Sequence, residues 1–104
     1  MKRSFLAIVL LVMGAGETIG SLAVNPGTRS IATSGGNLSF TVSSNTSWSW
    51  SGNAAWLTSN ENTTQSGNQI FSYSVAANPS THSRTATITI TTGNITATHT
   101  VTQV

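Results

Sequence analysis

Trp48 and Trp50 stand two residues apart, and Trp56 completes a set of three tryptophans within nine residues. Around them lie Ser43, Ser44, Asn45, Thr46, Ser47, Ser49, Ser51 and Asn53. Side chains at i and i+2 of a strand share a face, roughly 7 Å apart. If that face is outward, Trp48 and Trp50 form a platform that stacks on sugar rings, with Asn53 and Asn60 supplying hydrogen bonds. If it is inward, the rings are core, as a single tryptophan is in immunoglobulin-like sandwiches. The direction of Trp50, close to the Ser51-Gly52-Asn53 turn, separates the two readings.

Other chemistry finds few parts. Glycosidic hydrolysis normally needs two carboxylates flanking the bond, and Glu17 and Glu61 are the only acidic residues. With no Asp, a Ser-His-Asp triad is excluded. His82 and His99 lack a third ligand, and zero cysteines remove thiolate catalysis, disulfides and Cys-type zinc sites. The chain is therefore expected to be no enzyme and to use no metal or cofactor. Arg84, at the start of an alternating strand, suits a backbone cap or ion pair better than an acidic sugar. His99 suits a half-buried, hydrogen-bonded position.

The charge balance excludes further partners. Two of the four cations, Lys2 and Arg3, lie at the extreme N-terminus, ahead of an apolar run from Phe5 to Met13 and the small residues Gly14-Ala15-Gly16. That layout is a secretory signal peptide, shorter than the roughly 20 residues of a spanning helix. Cleavage after Gly16 leaves Arg29, Arg84, Glu17 and Glu61 and no net charge. Neither a nucleic-acid face nor a polybasic membrane patch can be built from these. Residues 1–20 are expected to be the leader and 21–104 a secreted, monomeric domain. It would be extracellular, at a cell surface or in a periplasm, with no membrane span once the leader is gone.

From Leu22 onward the hydrophobic period is two. Strands are expected at 21–25, 29–33, 37–43, 46–51, 55–59, 69–77, 84–92 and 95–103. Turns fall at Asn25-Pro26-Gly27, Gly35-Gly36, Asn78 to Ser83 and Gly93-Asn94, and residues 60–68 form a polar loop. Leu38, Phe40, Val42, Phe71, Tyr73, Val75, Ala86, Ile88, Ile90, Ile95, Ala97, His99 and Val101 take the inward parity. Ile70 takes the outward one. The prediction is all-β: an immunoglobulin-like sandwich of about seven short antiparallel strands. Phe40, Trp56 and Phe71 are expected inside, because so small a domain needs its aromatics in the core.

Five pieces in order carry a family resemblance: Ser44-Asn45-Thr46-Ser47-Trp48, Ala55-Trp56-Leu57-Thr58, Val75-Ala76-Ala77-Asn78, Arg84-Thr85-Ala86-Thr87-Ile88-Thr89-Ile90 and Val101-Thr102-Gln103. From about Leu22 to Gln103 the chain resembles the BACON domain, an immunoglobulin-like module of secreted Bacteroidetes proteins named for a proposed carbohydrate-binding role. The resemblance implies a sandwich that sits beside glycoside hydrolases or other surface modules. It implies polysaccharide or mucin glycans as partners, or a spacer or adhesin unit with no ligand of its own. His99 stands where the family usually has an aliphatic residue.

Overall fold

The computed structural model describes residues 7–11, 20–93 and 95–104, with side chains from Ser21 onward. Two five-stranded sheets pack face to face. The first joins β1 (Ala7–Leu11), β2 (Gly20–Asn25), β4 (Gly36–Ser44), β8 (Gln69–Val75) and β6 (Leu57–Thr58), in that spatial order. The second joins β3 (Thr28–Ile31), β10 (Ile95–Gln103), β9 (Arg84–Thr92), β5 (Ser47–Gly52) and β7 (Thr64–Ser66).

Alternation decides what each sheet buries. In β4, Phe40 and Val42 point inward, and in β8 Phe71, Tyr73 and Val75 do. Ala86, Ile88 and Ile90 of β9, with Ile95, Ala97 and Val101 of β10, supply the facing layer. The β-branched and aromatic residues on this face suit a pleated, half-buried surface. The intervening Ser and Thr keep the outer faces wet. Leu38 is half-buried rather than buried, and Ile70 is exposed as its parity predicts.

Three features differ from expectation. First, β3 runs parallel to β10, pairing Thr28 with Thr100 and Ile31 with Gln103. The chain steps from one sheet to the other at Asn25-Pro26-Gly27, where Pro26 has no N–H for a ladder. It keeps its direction across the step and so meets the last strand in parallel. Second, the polar loop at 60–68 contains β7, which pairs with β5 through Trp48 and Gln65. A three-residue strand inside a polar segment leaves no periodic signal. Third, the apolar segment assigned to the leader includes β1, whose backbone pairs antiparallel with β2 from Ala7↔Val24 to Leu11↔Gly20. An apolar run adjoining a sheet edge can complete the ladder there. The rest of the leader, like Asn94 of the expected hairpin turn, lies outside the described residues.

One glycine is fixed by close approach. Gly35 has φ +75°, and a Cβ there would lie 2.2 Å from the Val75 carbonyl oxygen. The turn into β4 thus presses directly on the end of β8.

Candidate functional site

The tryptophan strand is committed to the fold. Trp48 and Trp50 share a face of β5, as their spacing predicts, but that face points inward. Trp48 is 2 % exposed. Its indole N–H donates to the Gly67 carbonyl at 2.9 Å, so its polar edge is satisfied as well. This removes Trp48 from any surface platform. Trp50 is half-buried, edge-on to Phe71 at 4.9 Å between ring centroids. Its indole N–H donates to the Asn62 carbonyl at 3.0 Å. Asn53, expected beside it as a ligand contact, has its Oδ1 engaged by the Thr87 backbone N–H at 2.8 Å. It continues the β5–β9 pairing in place of a backbone carbonyl.

Trp56 is half-buried, not a central core ring; Trp48 fills that place. The reason lies in what covers Trp56. The Arg84 guanidinium carbon sits 4.2 Å above its ring centroid, a cation–π contact. Arg84 Nε donates to Gln103 Oε1 at 2.8 Å, and its terminal nitrogen to the Ala76 and Ala77 carbonyls at 3.1 Å each. Gln103, fully buried, donates in turn to the carbonyls of Ala32, Thr33 and Ala76. Arg84 therefore caps backbone, as its position at a strand start suggested, with three of its five N–H donors committed to Gln103, Ala76 and Ala77.

His99 is fully buried, beyond the half-buried position expected of it. Its ring stacks on Phe40 at 4.2 Å. Its Nδ1 lies 2.7 Å from the Pro26 carbonyl, which can only accept, so Nδ1 carries the proton. Nε2 then accepts from the Tyr73 hydroxyl at 2.8 Å. Burial lowers the His99 pKa from its usual 6.5; the Pro26 hydrogen bond opposes this and the Arg29 charge adds to it. Burial also pushes the Tyr73 phenol up to about 12, against a smaller lowering by Arg29. Imidazole and phenol are thus held neutral, pinning β8, β10 and the β2–β3 step together. An aliphatic residue at 99 could fill the space but not make these bonds.

Unoccupied polar groups lie elsewhere. A groove of about 810 Å³ is lined by strands β4, β8 and β6, by residues 59–61 and by Arg29 of β3. Pairing sets Asn37 beside Ser74 and Ser39 beside Ser72, while Thr58 pairs with Ser74 from the other side. Some of these groups bond one another: Ser74 Oγ donates to Asn37 Oδ1, and Ser59 Oγ to the Ser72 carbonyl. Glu61 also lines the groove, but its oxygens accept from the Ser72 backbone N–H and from Gln65 Nε2. The side chains of Ser39, Thr58 and Asn60 make no hydrogen bond to any described residue. The Arg29 side chain makes one hydrogen bond among the described residues, to the Ser39 carbonyl at 3.5 Å.

Of the four residues expected to bind a ligand, only Asn60 lines this groove; Trp48, Trp50 and Asn53 do not. Sequence reasoning passed over Arg29, Asn37, Ser39, Thr58, Ser72 and Ser74. Arg29 and Thr58 come from β3 and β6; for Asn37, Ser39, Ser72 and Ser74 the signal is the outward parity of β4 and β8, opposite Phe40 and Phe71. It becomes a site only through pairing between strands far apart in sequence.

A family model described as the viral BACON domain matches residues 21–104. The chain belongs to this family. The BACON family is a non-catalytic one. The match covers both sheets except β1 and Gly20 at the start of β2, which precede it. Among solved structures, this BACON domain is similar to part of a GH5 xyloglucanase from Bacteroides ovatus in complex with an XXXG heptasaccharide, with a TM-score of 0.68 and 23 % identity. The similarity covers 74 % of this chain and 17 % of the xyloglucanase. It shows a shared sandwich fold. No curated protein sequence matches the chain. Among the described residues, no helix is long and apolar enough to cross a membrane.

Proposed function

We propose that this BACON domain is a secreted, non-catalytic accessory module that contacts a glycan through the polar groove across β4, β8 and β6. The observation that carries the reading is the set of polar side chains there with unused hydrogen-bonding capacity: Ser39, Thr58, Asn60 and Arg29. A sugar's ring hydroxyls match such a surface of short donors and acceptors on rigid strands. Four exchanged hydrogen bonds at about 1 kcal/mol each correspond to a Kd on the order of 1 mM. Weak single-site binding of that kind suits a module that holds a polymer near a partner domain. Leader removal ahead of residue 21 would leave the family domain intact.

A second reading is a structural spacer with no ligand. It is favoured by the commitment of all three tryptophans to packing, which leaves no exposed stacking platform. Affinity electrophoresis of the folded protein through gels cast with a panel of polysaccharides and mucin separates the two. Retardation that is lost in a Ser39→Ala/Thr58→Ala/Asn60→Ala variant of unchanged stability supports the groove. Unretarded migration in every gel supports the spacer.

A further inference from the structure

We infer that the groove selects carboxylated sugars, the uronic or sialic acid residues of an acidic glycan, and that Arg29 is the selecting group. This deepens the glycan reading and rests on it.

Available charge singles out Arg29. The described residues contain two arginines, Arg29 and Arg84. Arg84 is half-buried, has three of its five N–H donors on Gln103 and two backbone carbonyls, stacks over the Trp56 ring, and does not line the groove. Arg29 is exposed on the edge strand β3 and leans over β4, its side chain making one hydrogen bond among the described residues, to the Ser39 carbonyl at 3.5 Å. Four of its five N–H donors are unused, and a guanidinium presents them in the fork that a carboxylate matches with two parallel bonds. The one anion of the groove, Glu61, is half-buried and turned to its own scaffold, with one oxygen on the Ser72 N–H and the other on Gln65. A ligand entering the groove therefore meets a free cation and an occupied anion. Ser39, Thr58 and Asn60 would take the hydroxyls while Arg29 takes the acid. Charge-assisted bonds are roughly twice as strong as neutral ones, so the acid group outweighs any one hydroxyl in deciding among glycans.

The test uses one backbone in two charge states: polygalacturonate and its fully methyl-esterified form, titrated against the whole chain by calorimetry. The expected result is roughly 10-fold tighter binding of the acid form, weakening as salt rises. Arg29→Gln should bring the two forms within about twofold of each other, Arg29→Lys should restore part of the difference, and Glu61→Gln should strengthen acid binding. Each variant is checked for an unchanged urea midpoint. A Lys2→Gln/Arg3→Gln variant should bind as the parent does. Mucin before and after sialidase distinguishes a sialic from a uronic source. Equal binding of both forms overturns the acid selection but leaves the glycan reading standing. Acid preference that survives Arg29→Gln, or vanishes with Lys2 and Arg3, overturns the assignment to Arg29. Binding of neither form, nor of any panel glycan, removes the glycan reading itself.

Discussion

The tryptophan corner and the polar groove are opposites. The corner has the side chains usually associated with sugar recognition, yet each is tied down: Trp48 to Gly67, Trp50 to Phe71 and Asn62, Trp56 beneath Arg84. The groove has only short polar side chains and one arginine, and several of them are untied. The difference teaches that residue type alone does not locate a binding surface. In a disulfide-free domain of this size, large rings are needed for packing. Binding is left to whatever the strands turn outward.

The comparison breaks most visibly at Trp48. Trp48→Ala should cost about 3–5 kcal/mol, enough to leave a small domain largely unfolded, as read by urea denaturation. A loss below about 1 kcal/mol would contradict its core position. Next in size is Gln103→Leu. It leaves Arg84 and the carbonyls of Ala32, Thr33 and Ala76 without their buried partner, and unfolding should show a loss of about 2–3 kcal/mol. Trp50→Ala should cost less than Trp48→Ala, about 1–3 kcal/mol, because the ring is only half-buried. If the groove is the seat of binding, the folded Trp50→Ala protein retains glycan affinity. Affinity lost with the fold intact would return the site to the tryptophan corner.

Acid sharpens the picture of the scaffold between the two regions. His99 has a folded pKa below its unfolded value of 6.5. Its contribution to stability is therefore complete above pH 6.5 and declines as pH falls below it. Tyr73 has a folded pKa of about 12 against 10 unfolded, so its contribution is present below pH 10 and is lost between 10 and 12. Unfolding midpoints measured from pH 4 to 8 should fall on the acid side, and His99→Leu, which cannot titrate, should flatten that slope. The smallest stability effects belong to the groove. Asn60→Ala and Arg29→Gln should each stay within about 0.5 kcal/mol of the parent, and changes in binding without changes in midpoint would be their signature.

Period-two alternation made most strands and the inward set from Phe40 to Val101 legible, because a strand's faces are written locally. Turn chemistry made Asn25-Pro26-Gly27 and the break at Gly35-Gly36 legible for the same reason. Parity also put Trp48 and Trp50 on one face, but not on which side of the sheet the partner layer lies. The parallel β3–β10 pair, the three-residue β7 and the pairing of Ala7–Leu11 with β2 were not legible. The first depends on a partner distant in sequence, and the other two join nearer segments through backbone pairing that no alternation announces. Asn53 and Asn60 read alike as exposed asparagines, and only pairing gave one to the β5–β9 ladder and the other to the groove.

The sequence by itself determined an all-β sandwich and its core parity, because side-chain alternation and turn propensity act over neighbouring residues. Only the tertiary structure decided which polar groups stay free. How many donors Arg84 and Arg29 keep depends on Gln103, Ala76, Ala77 and Trp56 arriving beside one and not the other. Hydrogen-bond satisfaction is a property of the folded whole, and no local pattern encodes it.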